Sequence, residues 1–124
     1  MDYWHKSLTG LGGVRLSAWH AAAVTGSLFA VEVVGESMSP TYSPGDWLLC
    51  RRTRKVRTAQ LVVVQRQGVG LVIKRVEKVR SDGAVWLVGD NPDSTASTDS
   101  RQWGWVSASD VCGRVWLRYR RGER

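Results

Sequence analysis

Turn chemistry punctuates this chain and limits what it can fold into. Pro44-Gly45-Asp46, Gly68-Val69-Gly70 and Ser81-Asp82-Gly83 separate runs of Val, Leu, Ile and Trp that are too short for ordinary helices. The first run, "LFAVEVV" from Leu28 to Val34, alternates, with Phe29, Val31 and Val33 on one face and Glu32 on the other. "DWLLCRR", "QLVVVQR", "LVIKRVEKV", "AVWLVGD" and "CGRVWLRY" follow, the middle pair forming a hairpin around Gly68-Val69-Gly70. These runs predict an all-β fold: a small, coiled, partly closed barrel-like core, with a short N-terminal helix or extended segment ahead of it. A chain of 124 residues can build one such core without a metal or a disulfide framework. The expected organisation is an N-terminal segment over 1–27, helical or membrane-associated, a core over 28–120 and a basic tail over 121–124.

The charge is strongly basic, 18 Lys and Arg against 11 Asp and Glu. It is concentrated in "RRTRKVR", Arg51 to Arg57, and "RYRRGER", Arg118 to Arg124. Such clusters are solvated edges or a surface for phosphate or anionic lipid headgroups. Cys50 and Cys112 match no metal or redox spacing and read as buried thiols rather than a bridge. From Leu16 to Val31 the chain carries no formal charge, yet this stretch is shorter than the roughly 20 apolar residues that span a bilayer, and Ser17, His20, Thr25 and Ser27 interrupt it. The expected location is therefore the cytoplasm or the membrane periphery rather than a single-pass anchor, with an anionic membrane surface as one candidate partner.

One strand holds an anomaly. Alternation in "LVIKRVEKV" puts Lys74 on the face of Val72 and Val76, and Arg75 on the face of Ile73 and Glu77. Both faces carry apolar residues, so periodicity leaves open which one is inside. A lysine buried on an inner face loses basicity toward the range that suits a general base. A serine hydroxyl needs such a base to act as a nucleophile. Ser37, in "VVGESMSPTYSPGDWLL", follows Gly35-Glu36, where glycine permits a sharp turn, and precedes the apolar anchor Met38. Taken alone, these two segments read rather as a polar turn and a strand lysine snorkelling to water. A third segment, "VGDNPDSTASTDSRQWGWV", places Asp99 and Arg101 where carboxylate and guanidinium can pair and pin a loop. A Ser-His-Asp triad would have to use His5 or His20 in the weakly patterned start of the chain. No His, Cys and carboxylate set has metal spacing, so neither metal nor cofactor is expected.

Together and in this order, "GESMSPTYSPGDWLL", "VIKRV", "GDNPDSTASTDSRQWGWV" and "GRVWLRY" resemble the type I signal peptidase superfamily of Ser/Lys proteases, over roughly residues 30 to 119. That superfamily also contains self-cleaving repressors. The resemblance implies Ser37 as acylating nucleophile, Lys74 as general base and Arg75 as its structural companion. It implies Ser97 as the hydroxyl that bonds the lysine, with Ser94 and Thr95 as alternatives. Asp99 and Arg101 match the structural ion pair, the Ser37 amide would contribute to the oxyanion hole, and Met38 and Pro40 would wall the substrate groove.

The sequence also departs from the pattern. Gly35 stands where the long bacterial enzymes have a serine that donates to the oxyanion. "TAQ", Thr58 to Gln60, replaces the usual Pro-Gly-Asp, and Pro92 replaces an arginine. Only a short hairpin fits between Arg75 and Gly89, leaving a minimal catalytic core. Its size is similar to that of the small maturation proteases of nickel-type superoxide dismutase. The implied activity is a serine endopeptidase that removes a leader from a precursor protein. The competing reading is a non-catalytic basic β module that binds nucleic acid through its seven tryptophans, or a degenerate protease fold. Nucleic acid explains the charge but not three protease motifs in order, so it is not the expected partner.

Overall fold

A computed structural model describes residues 14–16, 27–92 and 98–122. Among these residues seven strands form one antiparallel sheet: β1 (Val14–Leu16), β2 (Leu28–Val33), β3 (Trp47–Arg52), β4 (Leu61–Arg66), β5 (Gly70–Val79), β6 (Val85–Val88) and β7 (Val111–Arg120). Their order is β1-β2-β3-β7-β4-β5-β6. Helix among the described residues is limited to α1 (Ser100–Trp103) and a 3-10 turn at Ala108–Asp110. The domain is mainly β, as the turn spacing predicts.

All six predicted strands are present, and the chain adds a seventh. Val14–Leu16 pairs with β2, Val14 opposite Val33 and Leu16 opposite Val31, so the sheet begins upstream of Leu28. Three residues are too few to show a period, and it is the pairing that makes them a strand. This also constrains the uncharged stretch from Leu16 to Val31. Both of its ends, Leu16 in β1 and Leu28 to Val31 in β2, belong to the sheet. No helix among the described residues is long and apolar enough to cross a membrane.

Glycines make the predicted turns. Gly45, Gly68, Gly70 and Gly83 all have positive φ, the left-handed region that side chains avoid. Asp46 locks the first turn by accepting from the Ser43 amide at 2.9 Å. It is fully buried and also accepts from the Gly122 amide at 2.8 Å and from Arg118 at 3.3 Å. It thereby fastens the end of β7 to the start of β3.

The sheet is apolar on both sides at its centre. In β4, Leu61 and Val63 pack with Phe29, Leu48 and Ile73 in one core, whereas Val62 and Val64 pack with Val72, Val76 and Leu87 in another. The ambiguity in "LVIKRVEKV" thus has a structural answer: both faces are inside. The sheet curls without closing, and the edge strand β1 comes close to β5 near the opposite edge. Cys50 lies in the first core as a free thiol that burial pushes up to about 12, and Cys112 is a half-buried free thiol.

Close approach at the centre requires Gly113. A Cβ there would collide with the Arg51 carbonyl oxygen and lie 2.7 Å from Cε1 of Phe29. Gly113→Ala is therefore expected to destabilise the fold by about 1–3 kcal/mol. A urea midpoint indistinguishable from that of the parent chain would contradict this packing.

Candidate active site

The site is built on the turn between β2 and β3. Gly35 has φ +81°, which reverses the chain immediately after β2, and Ser37 follows with 1% of its surface exposed. The turn is held from outside as well as from within. The Ser37 carbonyl accepts from the Asn91 amide at 2.8 Å, and the Glu36 carbonyl accepts from Nδ2 of Asn91 at 2.8 Å. Asn91 follows β6, so these bonds draw together parts of the sheet that are five strands apart in its order.

Lys74 lies on β5 opposite Val62, in register with Val72 and Val76, and is likewise 1% exposed. Loss of water around the ammonium pushes its pKa down to about 8; the Asp99 carboxylate pulls upward and the Arg101 guanidinium adds a smaller push downward. The charges of the third segment therefore act directly on the lysine.

That segment is pinned as predicted. Arg101 grips Asp99 with two bonds, Nε to Oδ1 at 3.0 Å and a terminal nitrogen to Oδ2 at 2.8 Å. Asp99 also accepts from the Gly89 amide and caps α1 through a capping box with Gln102. Ser100 is buried, and its hydroxyl accepts from the Leu87 amide at 2.8 Å. Asp99 and Arg101 are thus structural, joining α1 to the end of β6. The Ser97 assignment and its alternatives Ser94 and Thr95 lie outside the described residues, as do His5 and His20.

Met38 is 1% exposed and packs in the core with Phe29, Val33 and Leu48, so it anchors the turn that bears Ser37 from the inside, whereas Pro40, its companion in the expected groove, is exposed. Asp90 has a role that sequence reasoning missed. Arg75, the neighbour of Lys74, donates to both Asp90 oxygens at 2.8 and 2.6 Å, and Thr41, in the turn that bears Ser37, donates to Oδ2 at 2.6 Å. One carboxylate therefore links the lysine strand, the serine turn and the chain after β6. The available signal was the pair "KR" on β5 with an acid directly after β6, but it does not separate Asp90 from Asp99. Among the described residues, no three His, Cys, Asp or Glu side chains gather as metal ligands would.

Residues 15–113 match the family model described as Peptidase S24-like, and the chain belongs to that family, part of the superfamily that contains the self-cleaving repressors and the signal peptidases. No curated protein matches the chain.

Asp46, Asp90 and Asp99 share an acid lability. Burial raises the pKa of each, but hydrogen bonds outweigh it, from the Ser43 amide, Arg75 and Arg101 respectively, and the net shift is downward. A carboxylate whose folded pKa is depressed contributes stability above its ordinary pKa, and that contribution is lost as pH falls through the folded value. The chain should therefore lose stability below about pH 4, and Asp90→Asn should lose less of it over the same range. At neutral pH, Asp90→Ala should cost about 1–3 kcal/mol. A double-mutant cycle with Arg75→Ala should show coupling; additive effects would mean that the bridge contributes nothing.

Proposed function

We propose that the chain is a serine endopeptidase in which Ser37 attacks the scissile carbonyl and Lys74 removes its proton. The observation that carries this reading is a fully buried lysine with its pKa brought down to about 8, on a strand tied through Arg75 and Asp90 to the turn that bears Ser37. A lysine in that range is neutral often enough near neutral pH to accept a proton, and a structural lysine would gain nothing from such burial. In acylation the Ser37 oxygen bonds to the substrate carbonyl carbon, Lys74 takes the hydroxyl proton, and that proton passes to the leaving amine. Water then attacks the acyl carbon, Lys74 takes the water proton, and as the bond to the Ser37 oxygen breaks that proton returns to it. The Ser37 amide supplies an oxyanion donor, worth about 3 kcal/mol in comparable sites.

The substrate we propose is a precursor protein carrying a leader or signal peptide, with nickel-type superoxide dismutase one such precursor, processed in the cytoplasm or at the membrane periphery. Membership of the peptidase family and the compact core support this, as does the exposed Pro40 beside Ser37.

Incubation with a leader-bearing precursor tests the reading. Ser37→Ala and Lys74→Ala should each lower cleavage by at least about a thousandfold while the fold, followed by circular dichroism, is retained. The acid limb of kcat/KM should fall near pH 8, because the base works only after Lys74 loses its proton. Equal cleavage by all three proteins would refute the dyad.

A further inference from the structure

A second feature lies away from the nucleophile turn. Arg51, Arg52, Arg54, Lys55 and Arg57 are all exposed at the end of β3 and in the loop after it. None of them forms an ion pair among the described residues. Like charges held this close repel one another, and a bound anion would relieve that.

The surface beside them is concave and continuous. A hollow of about 480 Å³ is lined by Arg52, Arg54, Gln65 and Ser109. Arg54 also lines a second hollow, of about 260 Å³, together with Lys55, Arg80 and Ser81. Arg80 also lines a third, of about 210 Å³, which ends at Trp105 and Ala84. The only carboxylate among their described lining residues, Asp82, is already held by two bonds from Arg80. We propose that this trough, from Arg52 past Arg54, Lys55 and Arg80 to Trp105, is an exosite for an extended acidic segment of the polypeptide that Ser37 cleaves, an inference that rests on the peptidase reading.

Shape and aromatic geometry select this occupant. A bilayer is flat on the scale of this domain and does not enter a concave trough. Single-stranded nucleic acid needs open ring faces on which its bases can stack. Here the Trp105 ring is already approached by the Lys78 ammonium at 5.7 Å and the Arg80 guanidinium at 5.0 Å, and Trp86 meets it edge-on at 5.4 Å. With that ring already engaged by cations, the guanidinium groups of the trough suit carboxylates, which arginine binds in a forked geometry.

The placement also gives a reach. Ala84 lines the third hollow, and the chain runs from there through β6 to Asn91, whose amide holds the Ser37 carbonyl. That path is at most roughly 23 Å along an extended chain, so the acidic stretch should begin within about seven residues of the scissile bond.

The test is a binding measurement on the full chain carrying Ser37→Ala, so that nothing is consumed. The probes are a fluorescein-labelled glutamate-rich peptide, its glutamine counterpart and a thymidine oligonucleotide of equal length, followed by anisotropy at low and physiological salt. The glutamate peptide should bind, weaken as salt rises, and weaken at least about tenfold when Arg54→Glu and Lys55→Glu are combined. Both positions are exposed, and the milder pair Arg54→Gln and Lys55→Gln should give a smaller loss in the same direction. Equal binding of the glutamine peptide, or oligonucleotide binding tighter than that of the glutamate peptide, would overturn the proposal. Cleavage by the unsubstituted chain is scored separately. Cleavage without acidic-peptide binding defeats the exosite and leaves the peptidase, whereas acidic-peptide binding without cleavage supports the trough chemistry and defeats the peptidase.

Discussion

Much of this fold follows from removing the Lys74 side chain from water. Taking an ammonium out of water costs several kcal/mol even after the protein relaxes. A two-sided apolar sheet around β4 and β5 does the desolvating, with cores on both faces. The partly compensating charge is Asp99, and it reaches the lysine only because α1, its capping box and the Gly89 amide hold that carboxylate in place. A lysine at the sheet surface would need none of these.

Two neighbouring residues carry the connection to the serine. Asp90 holds Arg75 and Thr41, and Asn91 holds the backbone of Glu36 and Ser37. Lys74 and Ser37 come from strands and turns distant in sequence, and this dipeptide after β6 is what links their surroundings. The curl of the sheet brings these parts within reach, and the bonds in turn keep the curl.

The strands were legible because their turns were: Gly45, Gly68, Gly70 and Gly83 stand where the backbone needs positive φ. Ser37 and Lys74 stood out as residues because a hydroxyl after a glycine turn and a charge in an apolar strand are visible in one dimension. What could not be read was anything set by long-range pairing. Whether Lys74 was inside depended on β6 and α1 covering its face, which no local pattern states. Asp46 and Asp90 looked like ordinary turn acids, although one is fully buried and the other bridges three segments. Met38 read as groove lining because it adjoins Ser37; that the turn after β2 also packs it in the core depends on Phe29, Val33 and Leu48, which the local sequence does not place. β1 was hidden by its length.

The position of β7 has a consequence for the timing of assembly. Among the described residues it is the last strand, yet it lies between β3 and β4, and none of the other described strands hydrogen-bonds both halves of the sheet. Until it is made, β2 and β3 with the serine turn, and β4 to β6 with the lysine, share no ladder. A growing chain can form each hairpin early, but the long-range joint comes last, and such joints are slow to close. The segment that carries Ser37 and the strand that carries Lys74 therefore share a continuous ladder only once β7 has taken its place between them.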